Sequence, residues 1–185
     1  MTIASGGRTP DRQPWRKPQR MDWTEFTTRL GRTIRDLEDR VFLIIEESSS
    51  GVYVQFAADT DTVSAECVAN TSTALKRPAD PAGELRLVEL GWTPYTPLDR
   101  NWTTSLQLPA TLAQSGQIAD MCVIALRDVY GVATPDSLTY KAWRGPEPPR
   151  ALWADDDTDE FAFFAEPLDP GQNPLPLPGL GLARQ

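Results

Sequence analysis

Four acidic residues in the last third of the sequence have a spacing that is able to bind calcium. Asp155, Asp157, Asp159 and Glu166 occupy relative positions 1, 3, 5 and 12, from which an EF-hand loop takes its carboxylate ligands. The sixth position of such a loop needs glycine for a sharp turn, and here it is Glu160. Prolines lie on both sides of the run, where an EF-hand needs helices. The sequence therefore predicts no calcium site, and we expect no other metal site.

The residue types on which most catalytic sites depend are scarce. The chain contains no histidine, the commonest general base, and its lysines are limited to Lys17, Lys76 and Lys141. No glycine-rich phosphate-binding loop is present. The adjacent carboxylates Glu46–Glu47 and Asp155–Asp157 fall in a predicted loop and a predicted tail, where acidic runs are usually solvated. We therefore predict a protein that is not an enzyme and that uses no cofactor and no small-molecule substrate.

Net charge, apolar stretches and cysteine context limit the kinds of partner and the cellular compartment that the sequence predicts. The net charge of −8 argues against attraction to nucleic acid or to an anionic membrane. No apolar stretch is long enough to span a bilayer, and no apolar signal core follows the basic N-terminal residues. Cys67 and Cys122 lie among apolar neighbours without a metal-binding spacing, which predicts buried, reduced thiols. We expect a cytoplasmic protein that binds neither nucleic acid nor membrane.

The first half of the sequence predicts one long helix followed by three strands. The helix begins after Asp22, with Glu25 three residues on as in a capping box. Its apolar stripe has helical spacing and consists of Trp23, Phe26, Leu30, Ile34, Leu37 and Val41. Strands are predicted over residues 42–45, 52–57 and 62–69, with loops at 46–51 and 59–61. Consecutive strands of this kind form an antiparallel meander.

The second half predicts two helices and two strands. A short helix over 84–90 stops at Gly91, and a second long helix runs from Thr111 to about Tyr130, with Gly131 after it. The proline-containing stretch 92–101 is predicted to be irregular, and strands are predicted over 102–108 and 137–143. The fold class is α+β: an antiparallel sheet with two long flanking helices in the order α-β-β-β-α-β-α-β.

Composition divides the chain into one domain and two tails. Residues 1–20 are basic, residues 21–145 carry the predicted elements, and residues 146–185 are acidic and rich in proline. We predict that both tails are disordered, because such compositions bury too little apolar surface to offset chain entropy. We also expect that removing residues 1–20 and 167–185 leaves thermal stability nearly unchanged.

Several short sequence motifs, taken in order with these elements, resemble those of a known family. They are Val54–Ala57, Glu66 inside the third strand, Leu90–Trp92 followed by Pro94, Asn101–Trp102 and Leu126–Gly131. Over roughly residues 22–143 the chain resembles the YbjN/Tir-chaperone-like domain, called TY-Chap, of actinobacterial proteins. The resemblance implies the fold of the small acidic chaperones of type III secretion, which are commonly homodimers that hold an extended client segment across a sheet and its flanking helices. It thus implies non-catalytic peptide binding and a homodimer, and it leaves the role of the tails open.

Aromatic residues are the candidates for binding such a client. We predict peptide-binding roles for Tyr53, Phe56, Trp92, Tyr95 and Trp102, because rigid aromatic anchors dominate recognition. The alternative is structural, since a proline-containing crossover needs large side chains to fasten it to the core.

A second aromatic cluster follows an acidic run in the C-terminal tail. Phe161, Phe163 and Phe164 are unexpected in a tail that only needs to be soluble. Segment 155–166 is therefore a candidate docking segment for a partner or for the protein's own domain. The alternative is a final strand or helix that packs on the core.

Two hypotheses of function follow from these patterns. The first is a chaperone-like or adaptor domain that binds a peptide segment of a client protein. The alternative is a structural component of a larger assembly, such as a phage or secretion particle, with the tails making the contacts between subunits. A chaperone should co-purify with a client, whereas an assembly component should form large particles in light scattering.

Overall fold

A computed structural model describes residues 20–147 and 169–185 of the chain. The described helices and strands are α1 (Trp23–Arg35), β1 (Val41–Glu47), β2 (Val52–Ala58), β3 (Thr62–Cys67), α2 (Pro81–Leu90), β4 (Trp102–Gln107), α3 (Leu112–Ile124), β5 (Thr139–Arg144) and β6 (Ala183–Arg184). The predicted order of the first eight elements is confirmed. The α+β class is confirmed as well, and β6 is an additional strand that the sequence pattern did not indicate.

Helix α1 begins where the sequence predicts and ends earlier. The Glu25 backbone N–H donates to Oδ1 of Asp22 at 2.8 Å, which caps the helix, while the Glu25 side chain turns to Arg29. The prediction that the helix continues to Val41 is wrong. The helix ends at Arg35 with Asp36 as its C-cap, and Arg40 adopts a left-handed conformation (φ 63°) directly before β1. The last two positions of the apolar stripe are still buried, one in the connection and one in the strand.

Helices α2 and α3 have well-defined ends. Gly91 follows α2 with φ 101°, and Gly131 follows the last turn of α3 with φ 74°, both in the conformation that glycine adopts at least cost. Thr111 and Gln114 form a reciprocal capping box at the start of α3. The helix continues as one π-helical turn over Ala125–Val129. Both glycine stops and the Thr111 start agree with the prediction.

The sheet is mixed, and its strand order is β4-β3-β2-β1-β5-β6. Strands β1 to β5 pair antiparallel with their neighbours, as predicted. The two-residue strand β6 pairs parallel to β5, with Thr139 opposite Ala183 and Tyr140 opposite Arg184. The predicted antiparallel sheet thus gains one short parallel strand at this edge. The outer edge of β5 offers unpaired backbone groups, and the chain from 169 onward returns to satisfy them.

The two faces of the sheet differ. Alternate residues of β1, β2, β3 and β5 join residues of all three helices in a single core cluster, so the described helices cover one face. Helices α1 and α3 lie close together there, since a Cβ atom on Gly31 would lie 3.2 Å from the Gly116 Cα atom. The opposite face, which we call the open face, carries no described helix. Its side chains lie in rows set by the strand register.

Residues 169–185 pack on the domain, and the expectation of a disordered tail is wrong for them. The Leu180 side chain is fully buried in the core cluster. The Leu175 N–H donates to the Ala142 carbonyl at 2.8 Å, and the Gln185 N–H donates to the Tyr140 carbonyl at 3.0 Å. The segment is rich in proline and glycine and has little structure of its own. The edge of β5 provides hydrogen-bond partners for this segment, and a slot beside α1 buries its apolar side chain Leu180.

Asp169 fastens the beginning of this segment. Its carboxylate accepts a hydrogen bond from the Arg40 guanidinium at 2.8 Å, and Arg144 lies 3.4 Å away. The Gly171 backbone N–H also donates to it at 2.9 Å. This N–H, followed by Arg40, holds the pKa of Asp169 below its ordinary value. The carboxylate is therefore ionised at neutral pH, in the state that pairs with both arginines.

Candidate functional site

The five aromatic residues predicted to bind a peptide do not share one exposed surface. Phe56, Trp92 and Trp102 are buried, each at most 3% exposed. Tyr53 and Tyr95 are partly exposed. Burial fits the structural alternative for the three buried residues, because a client cannot reach them without displacing the core. A binding role for the set stays a prediction.

Tyr95 and Trp102 fasten the irregular stretch between α2 and β4. Their rings meet edge to face, with centroids 5.5 Å apart. The Tyr95 hydroxyl donates to Oε1 of Glu84 at 3.2 Å, and Thr93 exchanges two backbone hydrogen bonds with Thr103. The stretch thereby extends the sheet beyond β4. It also forms one wall of the concavity described below.

A polar network occupies the β2–β3 side of the open face. Oε2 of Glu66 accepts hydrogen bonds from the Gln55 amide at 2.8 Å and from the Asn101 amide at 2.7 Å. The Tyr53 hydroxyl donates to Oδ1 of Asn101 at 2.9 Å. Burial raises the pKa of Tyr53, so the hydroxyl keeps its proton at neutral pH and remains a donor. The network holds the Glu66 carboxylate in one orientation.

An apolar patch occupies the β1–β5 side of the same face. The rings of Phe42 and Trp143 stack with centroids 5.2 Å apart and an interplanar angle of 14°. Ile44 lies next along β1, and Ala57 is paired with Phe42 across β2. These four residues are partly exposed and do not belong to the core cluster or to the apolar side chains packed against it. We call them the apolar patch of the open face.

Shallow concavities lie at both ends of this face. One, of about 420 Å³, lies against Glu66 and is bordered by Ser64, Thr93, Thr103 and Ser105. The other, also about 420 Å³, lies beside Trp143, and residues of the C-terminal segment form its far wall. The open face therefore runs from an acidic concavity, across the apolar patch, to a second concavity. An extended peptide fits this shape, because it can place alternate side chains on a sheet surface.

Both cysteine side chains are buried in the core cluster. Burial raises the pKa of both cysteine thiols, Cys67 and Cys122, which keeps them protonated and unreactive. Among residues 20–147 and 169–185, no group of three or more histidine, cysteine or acidic residues has a geometry that holds a metal ion. The candidate calcium run and the docking segment with Phe161, Phe163 and Phe164 lie outside the described residues.

No described helix is both long and apolar enough to cross a membrane.

The functional candidates that sequence reasoning missed are Phe42, Ile44 and Trp143. A signal for them exists, since residues 41–45 are apolar at every position. With a period of two, such a strand is apolar on both faces, although a sheet with helices on one side needs only one apolar face. Glu66 and Asn101 were noted for the family resemblance and not as a pair.

Residues 17–144 match the family model described as "TY-Chap3: T3SS (YopN, CesT) and YbjN peptide-binding chaperone 3". The match includes α1 through β5 and ends before the C-terminal segment 169–185. Neither the curated proteins nor the solved structures that were searched gave a match. The chain belongs to the TY-Chap family of peptide-binding chaperone domains.

Proposed function

We propose that this protein is a non-catalytic, chaperone-like or adaptor protein that holds an extended segment of a client on the open face of its sheet. The observation that carries the proposal is the apolar patch of Phe42, Ile44, Ala57 and Trp143, which lies outside the core cluster. Partly exposed apolar side chains that share one sheet face are typical of surfaces that receive another polypeptide. The family description names peptide binding, and the patch is a surface on which this chain can perform it.

The stacked pair of Phe42 and Trp143 is the expected anchor of the interaction. Aromatic residues supply large contact areas at low entropic cost and are frequent hot spots. Tyr53, from the predicted set, contributes to the same face through the Asn101 contact. In this proposal the role of three buried residues is structural: Phe56, Trp92 and Trp102 hold the strands and the irregular stretch in place from within the core.

Replacement of the anchor tests the proposal. Trp143→Ala should reduce recovery of the client from cell lysate by at least about tenfold, since loss of an aromatic hot spot costs about 2 kcal/mol or more. Leu85→Ala is the matched control, because Leu85 is 59% exposed on α2 and lies outside the open face. Melting curves of both variants check that the fold survives. Equal client recovery by the wild type and by a folded Trp143→Ala variant would contradict the proposal.

A photoreactive amino acid placed at position 44 gives a second, direct readout. It should form a crosslink to the client, and the same group at position 85 should not. Crosslinks from position 85 alone would place the client-binding site on α2 and would contradict binding at the open face.

We further propose that the protein acts in the cytoplasm as a homodimer. The candidate docking segment 155–166 would recruit a partner in this scheme, and the basic residues 1–20 would assist or regulate. Light scattering coupled to size exclusion should give twice the chain mass of 20.5 kDa. A monomer at all concentrations would refute the dimer and leave the client surface unaffected.

A further inference from the structure

The Glu66 carboxylate is held in place and yet lacks a positive partner among the described residues. Both amide donors reach the same oxygen, Oε2, and no donor within residues 20–147 and 169–185 reaches Oε1. In that part of the chain no lysine or arginine nitrogen lies within 4.0 Å of Glu66, whereas Glu46 on the same face lies 3.6 Å from Lys141. A partly buried carboxylate that has neutral donors alone gains from a cation, because the amides orient its charge without neutralising it.

The space beside Glu66 suits such a cation. The concavity of about 420 Å³ holds on the order of ten water molecules, which is ample for a guanidinium or an ammonium group. Its border of Ser64, Thr93, Thr103 and Ser105 offers hydroxyl groups that accept the remaining N–H bonds of such a group.

The strand register sets the distance from Glu66 to the apolar patch. Glu66 is paired with Gln55, Gln55 is paired with Ile44, and Phe42 lies two residues along β1 from Ile44. With strands about 4.8 Å apart and about 3.4 Å per residue, the Cα atoms of Glu66 and Phe42 are about 12 Å apart. An extended peptide spans this distance in about four residues, and residues four apart in a strand point to the same side.

We propose that the client segment on the open face carries a basic residue that pairs with Glu66 and an apolar residue, about four positions away, that packs on Phe42 and Trp143. This inference rests on the proposed function and adds the chemistry of the client. A basic client also fits the net charge of −8, which disfavours a second copy of this chain as the occupant.

Peptide binding to the full-length chain tests the inference. The probe is an array of fluorescein-labelled, extended peptides of about twelve residues in a serine and threonine background. Each carries one apolar residue and one basic, neutral or acidic residue at a varied spacing. Peptides with a basic residue four positions from the apolar one should bind at least about tenfold more tightly than their neutral or acidic counterparts, a difference of about 1.4 kcal/mol.

Substitution of the carboxylate completes a double-mutant cycle. Glu66→Gln keeps the acceptor oxygen and should lower the affinity for the basic peptide by about tenfold without altering the affinity for the neutral one. Glu89→Gln is the matched control, because Glu89 lies exposed on α2, paired with Arg86, and should change neither affinity. Glu66→Lys should invert the preference toward the acidic peptide.

The outcomes separate this inference from the proposed function. Equal binding of the basic peptide to the wild type and to Glu66→Gln, together with a loss in Trp143→Ala, would overturn the basic client and leave the peptide surface intact. Absence of peptide binding, or a preference for acidic peptides, would also overturn it. Binding that appears only after Phe161, Phe163 and Phe164 are replaced by serine would assign the face to the chain's own segment and refute the inference.

Discussion

Replacing Leu180 with alanine should destabilise the whole domain, although composition predicts disorder for the segment that carries it. The Leu180 side chain is fully buried and belongs to the same core cluster as the helices and the sheet. Transfer of a leucine side chain from water to a protein interior is worth about 1.5–3 kcal/mol, and the cavity left by Leu→Ala adds to the loss. We expect Leu180→Ala to lower the free energy of unfolding by about 2–4 kcal/mol.

The loss has an upper limit that the topology sets. Residues 169–185 join the domain at its edge, so a severe cavity can be relieved if the segment detaches. The cost then equals the free energy of docking, and removal of residues 169–185 measures that quantity. For a domain of this size, about 2–4 kcal/mol corresponds to a decrease in melting temperature of roughly 5–15 °C.

Urea and thermal unfolding followed by circular dichroism measure both quantities. Leu98→Ala is the matched control, because the same atoms are removed from a side chain that is 93% exposed. It should leave the melting temperature within about 1 °C of the wild type. If Leu180→Ala and the truncated chain both have the melting temperature of the Leu98→Ala variant, then residues 169–185 contribute nothing to the stability of the domain and the reasoning is refuted.

The remaining predictions concern charge, backbone conformation and thiol access. The pKa of Asp169 is lowered in the folded state, so the stability that its ionised carboxylate contributes is present above about pH 4 and is lost as the pH falls through the folded pKa. Asp169→Asn should therefore reduce the loss of stability below about pH 4 in acid unfolding curves. An unchanged curve would count against the contact of Asp169 with the two arginines. Gly51→Ala should cost more than about 1 kcal/mol in urea unfolding, because φ is 75° and the added Cβ would collide with a backbone carbonyl, whereas Gly116→Ala, with open space in α3, should be neutral or stabilising by up to about 1 kcal/mol. Cys67 and Cys122 should resist a thiol reagent until denaturant unfolds the chain, and rapid labelling of the native protein would contradict their burial.

Local signals predicted the order of the main elements and several of their ends. Asp22 and Thr111 cap the starts of α1 and α3, while Gly91 follows α2 and Gly131 follows the last turn of α3. These signals are readable because caps and left-handed glycines act over a few residues of sequence. The alternation of residue types in β3 places Cys67 and its apolar neighbours on the covered face. The early end of α1 at Arg35 was not predicted, because an apolar stripe continues without interruption from a helix into the strand that shares its core.

The site was less predictable, because exposure depends on which elements cover each face. Of the five aromatic residues predicted to bind a peptide, Phe56, Trp92 and Trp102 are core residues. Phe42 and Trp143, separated by about a hundred positions, became a stacked pair through the β1–β5 pairing, which no local pattern encodes. The Glu66 network depends in the same way on bringing the Asn101 loop beside β3.

The residues themselves thus determine a helix, a meander and a second helix, since propensity, capping and periodicity operate within a few positions. Tertiary structure decides which aromatic side chains face solvent and whether the C-terminal segment is ordered. The physical reason is that Leu180 gains its stability from a slot built by residues far away in sequence, and a proline-rich composition reports only the absence of self-structure. Binding surfaces and docked segments are properties of the packed molecule, because burial is a relation between distant residues.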